Sequence, residues 1–140
     1  MKSQVIAMQT LKQLLHNLRG NEWYVIIGAV TTAIGYNLLT NEHFFFWPPQ
    51  YSSLMNDDRL DAITLCIGLG LIIYSAVGKH VNSVISVLLG LATANYTVIA
   101  VILWIHMQFA GQYKFNLPLA LCIGWILVIL KVAQSRNIRR

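Results

Sequence analysis

Charged residues are scarce in this chain of 140 residues, because aspartate, glutamate, lysine and arginine together make up only 11% of it. A soluble globular domain carries about 25% charged residues. Hydrophobic residues account for 56% of the chain, which is more apolar surface than a soluble domain of this length buries. The composition therefore excludes an ordinary soluble domain and a disordered chain, and it predicts a polytopic membrane protein.

Cysteines and the sequence motifs of enzymes are also scarce. The two cysteines, Cys66 and Cys122, lie inside apolar runs rather than in loops, which is typical of buried thiols. The sequence leaves a disulfide between them open. It contains no glycine-rich phosphate loop, no HExxH or GxSxG motif, and no Cys or His pair at metal-ligand spacing. We therefore expect no catalytic residue, no metal site and no cofactor, and a protein that is not an enzyme.

The most prominent feature of the sequence is a set of four long apolar segments, none of which has a charged residue in its middle. A helix needs about 20 apolar residues to cross a hydrocarbon core about 30 Å thick. The predicted spans are Trp23–Leu39, Asp61–Val77, Val81–Phe109 and Leu117–Val132. These segments lack the alternation of barrel strands. The sequence therefore predicts an all-α integral membrane protein with a bundle of four transmembrane helices.

Lysine and arginine are distributed unequally between the two sides of this topology. The N-terminal segment, the turn 78–80 and the C-terminal end of the chain from Lys131 onwards hold eight of them, whereas the loops 40–60 and 110–116 hold only Arg59 and Lys114. Because cytoplasmic loops carry the excess of basic residues, we expect both termini on the cytoplasmic side of the cytoplasmic membrane. The basic residues are too scattered for a nucleic-acid surface, so we expect no nucleic-acid partner.

The first 20 residues have the pattern of an amphipathic helix, with apolar side chains on one face and most basic and amide side chains off it. The apolar positions are Val5, Met8, Leu11, Leu15 and Leu18. Such a helix either lies on the inner membrane surface or packs against its own protein. The chain thus divides into the amphipathic helix (1–20), the transmembrane domain (21–134) and a basic tail (135–140).

Uncharged polar residues within the spans are candidates for a functional contact. Asn95 lies near the midpoint of the third span, and Asn37 lies towards the outer end of the first. An amide in lipid needs a hydrogen-bond partner, and interhelical bonds of this kind contribute on the order of 1 kcal/mol. Each asparagine is therefore interpreted either as a pore-lining residue or as an interhelical polar contact. The absence of a carboxylate deep in the spans disfavours an ion-coupled transporter.

The outer loop between the first two spans contains a short aromatic and proline-rich stretch. It is interpreted either as an aromatic belt at the membrane interface or as a contact surface for another protein or for a cell-wall ligand. The candidate contact residues are Phe46, Trp47, Pro48, Pro49 and Tyr51.

Small residues recur every four positions in each span, which aligns them on one helix face and allows helix backbones to approach closely. We expect the helix-packing faces to be marked by Gly28, Gly70, Gly90 and Gly124. Faces left over after the bundle has formed would support homo-oligomerisation.

The segment Gly35–Asn41 at the outer end of the first span reads Gly-Tyr-Asn-Leu-Leu-Thr-Asn. The chain resembles the small multi-span, holin-like membrane proteins of phages and prophages of Gram-positive bacteria. The resemblance lies in this segment, in the size of the chain, in its short loops and in its basic tail. The resemblance implies an oligomer that permeabilises the cytoplasmic membrane, with the lipid bilayer and further copies as partners. The residues leave two alternatives open: an accessory or interaction subunit of a larger membrane assembly, and a small oligomeric channel or transporter.

Overall fold

The computed structural model describes residues 2–41, 50, 57–77, 82–109 and 117–137, and it contains no strand in them. The helices of these residues are α1 (Lys2–Gly20), α2 (Glu22–Thr40), α3 (Asp58–Val77), α4 (Asn82–Phe109) and α5 (Leu117–Asn137). Four of them, α2 to α5, are long and apolar enough to cross a membrane. The predicted all-α class and the four-helix membrane bundle are therefore confirmed.

The helix ends differ from the predicted spans by a few residues, and local hydrogen bonds explain the start of α3. The Asp57 carboxylate accepts a hydrogen bond from the backbone N–H of Arg59 at 2.9 Å. The Asp57 carbonyl accepts one from the N–H of Leu60 at 2.9 Å. A carboxylate at a helix N-terminus satisfies a free N–H group, so α3 begins before the apolar run. At the other end of the chain, α5 continues to Asn137, so the start of the predicted basic tail is helical.

The helices α2 and α3 are the most extensively packed pair, and they run antiparallel. A Cβ atom at Gly28 would lie 2.8 Å from the carbonyl oxygen of Gly68, and one at Gly35 would lie 2.5 Å from the backbone nitrogen of Leu65. No side chain larger than hydrogen fits at these distances without moving the helices apart. Glycine therefore sets the separation between α2 and α3.

The other glycines that were expected to mark packing faces lie elsewhere. A Cβ at Gly70 would touch the Leu88 side chain of α4 at an ordinary contact distance of 3.4 Å. A Cβ at Gly90 or at Gly124 would meet nothing within 4 Å in the part of the chain that the structure describes. Of the four predicted glycines, Gly90 and Gly124 therefore do not pack within the described bundle, because four-residue spacing identifies a helix face without saying whether it is covered.

The core of the bundle is small relative to its surface. Buried apolar side chains come from all four spans and form one cluster: Ile27, Ile67, Leu71, Ile85, Leu89, Ala92, Tyr96, Cys122 and Ile129. The buried share of each span is only 22% to 33%. In water this much exposed apolar surface would be unfavourable, whereas in a bilayer it faces lipid.

The N-terminal helix α1 contacts the bundle only near its C-terminal end. Asn17 donates from its side-chain amide to the carbonyl of Ala76 at 3.1 Å, and Asn21 donates to the carbonyl of Ser75 at 3.4 Å. Residues 6–16 are all exposed, including the apolar side chains of the amphipathic face in that stretch. No described residue covers this face, which favours the membrane-surface interpretation of α1.

Candidate functional site

Asn95 lies in the middle of α4 and joins it to α3. Its side-chain amide donates a hydrogen bond of 2.8 Å to the hydroxyl oxygen of Thr64. The Thr64 hydroxyl in turn donates to the carbonyl of Leu60 at 2.8 Å. Asn95 is only 9% exposed and Thr64 is 1% exposed. Within the single chain, Asn95 thus makes an interhelical polar contact rather than facing an open path.

Tyr96, the next residue of α4, joins that helix to α2 and α5. Its hydroxyl donates to the Thr31 hydroxyl oxygen at 3.2 Å, and Thr31 donates to the carbonyl of Ile27 at 2.7 Å. The Cys122 thiol of α5 donates to the backbone carbonyl of Tyr96 at 3.4 Å. Successive side chains on a helix point about 100° apart, so two adjacent residues reach different neighbouring helices.

Both cysteines are free thiols. Cys122 is buried, whereas Cys66 is exposed on α3. The disulfide that the sequence left open is therefore not present, and the Cys122 thiol acts as a weak hydrogen-bond donor within the bundle.

A cavity of about 640 Å³ lies beside this polar centre, between α2, α4 and α5. Its lining includes side chains of α2 from Val30 to Leu38, of α4 from Tyr96 to Leu103, and of α5 from Pro118 to Trp125. Each stretch covers about 10 to 12 Å of helix. The cavity therefore extends from the end of the bundle where α2 ends and α5 begins to the middle of the spans, where Tyr96 and Trp125 lie.

The indole of Trp125 lines the deep end of the cavity and lies beside the Tyr96 phenol. Its Nε1 atom is buried and meets no acceptor at full hydrogen-bond geometry, but it lies close enough to the Tyr96 hydroxyl to act as a side-chain hydrogen-bond donor to it. Sequence reasoning missed this residue, because a tryptophan in an apolar run gives no sign of whether its N–H is paired.

Asn37 lies at the opposite end of the cavity lining, near the C-terminus of α2. The side-chain amide of Asn41 donates to the Asn37 backbone carbonyl at 2.7 Å and to the Asn37 side-chain oxygen at 3.3 Å. Asn37 is exposed, whereas Asn95 is buried and does not line the cavity. The structure therefore does not bring the two candidate asparagines into one site.

The candidate contact residues of the outer loop lie outside the described residues. They are Phe46, Trp47, Pro48, Pro49 and Tyr51, and their role as a contact surface stays a prediction.

Known proteins do not supply a function for this chain. No protein-family model, no curated protein and no solved structure matches it. Among the residues with described positions, no group of three or more His, Cys, Asp or Glu side chains is arranged to hold a metal ion. The function is therefore inferred from buried contacts and exposed helix faces.

Proposed function

We propose that the protein is a holin-like oligomer, in which several copies associate within the cytoplasmic membrane and permeabilise it. The observation that carries this proposal is an exposed face of small residues on α4. Ser86, Gly90 and Ala94 are spaced four residues apart and are all exposed. A Cβ at Gly90 would meet no neighbour within 4 Å in the described part of the chain.

Small residues matter in a bilayer because close packing, rather than the hydrophobic effect, drives helix association in lipid. The pair α2 and α3 provides an internal comparison, since Gly28 and Gly68 there allow backbone contact. The α4 face has the same kind of residue at Gly90, which has open space in the described bundle, and Gly124 lies open on α5. A second copy of the chain has membrane-spanning helices of matching length and composition that can pack on this face.

The path for water in such an oligomer runs between the assembled copies. The α4 faces hold neighbouring copies in contact, so these faces do not line that path. Thr97 lies one turn beyond Ala94 and is exposed, with its hydroxyl bonded to the carbonyl of Thr93 at 2.8 Å. The polar groups of Asn95 and Thr64 satisfy each other inside the bundle, so the proposed lesion is not lined by Asn95 within one copy.

The helix α1 is assigned to the cytoplasmic membrane surface, with both termini of the chain cytoplasmic. Lys12 and Arg19 are basic, and the sequence of α1 contains no acidic residue. A basic helix with an exposed apolar face is attracted to anionic lipid of the inner leaflet. In this placement α1 anchors each copy to the membrane surface, and the exposed faces of α4 and α5 remain available for association with further copies.

Induced expression in a bacterium tests the proposal, with growth and the uptake of a membrane-impermeant dye followed together. Wild-type protein should cause abrupt growth arrest with dye entry. Gly90→Leu should insert into the membrane but should abolish dye entry, because the larger side chain keeps the α4 faces apart. Ala29→Leu introduces the same leucine side chain at an exposed position of α2 and serves as the control.

The same experiment separates the alternatives. Normal growth with wild-type protein present in the membrane would contradict permeabilisation and would favour an accessory subunit that co-purifies with a partner. Conductance in a planar bilayer without dye entry or lysis would contradict the lesion and favour a small channel.

A further inference from the structure

A smaller cavity lies where α1 meets α2, beside the last turns of α5. Its volume is about 240 Å³, and it is lined by residues 20–24 together with Val132 and Ser135. Pockets that enclose a whole small ligand usually measure about 300 Å³ or more, so this cavity takes the end of a larger molecule. We propose that it binds the primary ammonium group of a phospholipid headgroup, with the Glu22 carboxylate as the acceptor.

The cavity lies at the depth of lipid headgroups. Glu22 is the first residue of the span formed by α2, and Ser135 is the last residue of the span Leu117–Ser135. Because the thickness of the hydrocarbon core sets the length of a span, the ends of the spans lie where the acyl chains meet the headgroups. Trp23 and Tyr24 in the lining are residues typical of this boundary. A lipid therefore presents its headgroup to the cavity.

The side-chain hydrogen bonds of the lining leave acceptors for a ligand. The Ser135 hydroxyl donates to the carbonyl of Val132 at 2.8 Å. The side-chain amide of Asn21 donates to the carbonyl of Asn17 at 3.1 Å and to that of Ser75 at 3.4 Å. The hydrogens of these two side chains are thus used within the protein, whereas the Ser135 oxygen can still accept a hydrogen bond.

The charge of the lining selects a cation. Glu22 is the only charged residue that lines the cavity, and no described residue forms an ion pair or a hydrogen bond with its side chain. A primary ammonium neutralises this carboxylate and has three N–H donors, enough to reach the Ser135 oxygen as well. A trimethylammonium carries the same charge but has no N–H, so it forms no charge-assisted hydrogen bond. The site should therefore distinguish these two headgroups.

A matched pair of lipids tests the proposal. Phosphatidylethanolamine and phosphatidylcholine with the same dioleoyl chains are both zwitterionic and differ only in the methylation of the ammonium group. The full-length protein is purified in detergent, and bound lipid is measured by native mass spectrometry over a series of lipid concentrations. The wild type should bind phosphatidylethanolamine about three- to tenfold more tightly than phosphatidylcholine, which is the affinity ratio of one hydrogen bond.

Two variants locate the selectivity. Glu22→Gln keeps the size of the side chain but removes its charge, so it should bind the two lipids equally. Asp58→Asn is the matched control, because Asp58 is also exposed and is the first residue of α3, but it does not line the cavity. A carboxylate in the first turn of a helix stabilises the helix N-terminus in both cases. Only Glu22→Gln should change the preference between the lipids.

Free phosphoethanolamine distinguishes a lipid from a soluble amine. In large excess it should not displace bound phosphatidylethanolamine, because it lacks the acyl chains that hold the lipid beside the spans. Displacement would overturn the assignment to a lipid.

Three further results would overturn the site. The first is equal affinity of the wild type for the two lipids. The second is an undiminished preference in Glu22→Gln, which would limit Glu22 to its role at the helix N-terminus. The third is loss of the preference in Asp58→Asn, which would place the selectivity outside the cavity.

Discussion

At the residue scale, the contact between Asn95 and Thr64 could be predicted from the sequence only in part. An amide near the midpoint of a 28-residue helix must find a partner in lipid, and this requirement is readable from the sequence. The identity of the partner is not, because it depends on the register between α3 and α4. The buried N–H of Trp125 beside the Tyr96 hydroxyl is the opposite case, since only the packing of its neighbours reveals this position.

The hydrogen bond between Asn95 and Thr64 should appear as a coupling energy in a double-mutant cycle. With Asn95→Leu and Thr64→Val, we expect a coupling of about 0.6 kcal/mol and at most about 1.7 kcal/mol, as for other interhelical bonds in membranes. The measurement is the free energy of unfolding in mixed micelles. Thr97→Val, whose hydroxyl bonds only within α4, should be additive with Asn95→Leu. Zero coupling between Asn95 and Thr64 would contradict the contact.

At the element scale, the four spans follow directly from the length of the apolar runs, and their ends agree with the structure within a few residues. The packing faces do not follow as simply. The four-residue pattern identified Gly28 but missed Gly35 and Gly68, which also lie at the backbone contact between α2 and α3. Periodicity describes one helix at a time, whereas a close approach needs matching small residues at the same height on two helices.

The glycine contact between α2 and α3 predicts a strong difference between two glycine-to-alanine variants. A Cβ at Gly68 would collide with the backbone nitrogen and hydroxyl oxygen of Thr32, so Gly68→Ala should lower the free energy of unfolding by about 1 to 3 kcal/mol. Gly90→Ala has open space and should leave stability unchanged or raise it by up to about 1 kcal/mol. Unfolding in detergent at a monomeric dilution measures both, and equal losses would contradict the assigned packing.

The helix α1 should be protected by the bilayer through its apolar face. Met8 is 60% exposed, and Gln9 beside it is also exposed but lies on the polar side of the helix. In nanodiscs with anionic lipid, Met8→Asp should speed tryptic cleavage after Lys12 several-fold, because a charge on the apolar face opposes insertion. Gln9→Asp adds the same charge and should change the rate little. Equal rates for both variants would show that the bilayer does not cover the Met8 face.

At the scale of the whole molecule, the fold class and the number of spans could be predicted from the sequence, whereas function depends on what the exposed faces meet. The low charge and the four apolar runs already require a membrane bundle. The small residues around Gly90 and Gly124 were readable as a pattern, but only the folded chain reveals that a Cβ at either glycine would meet nothing within 4 Å among the described residues. Self-association through these faces is the central claim that connects the fold to the proposed permeabilisation.

Dye release from liposomes tests that claim most directly. Purified protein is reconstituted at a series of protein-to-lipid ratios into liposomes that contain a self-quenched dye, and leakage is followed by fluorescence. We expect wild-type leakage to rise more steeply than linearly with the ratio, because several copies form one lesion, and Gly90→Leu to leave the liposomes sealed. Sealed liposomes with correctly inserted wild-type protein, or equal leakage from wild type and Gly90→Leu, would contradict the account.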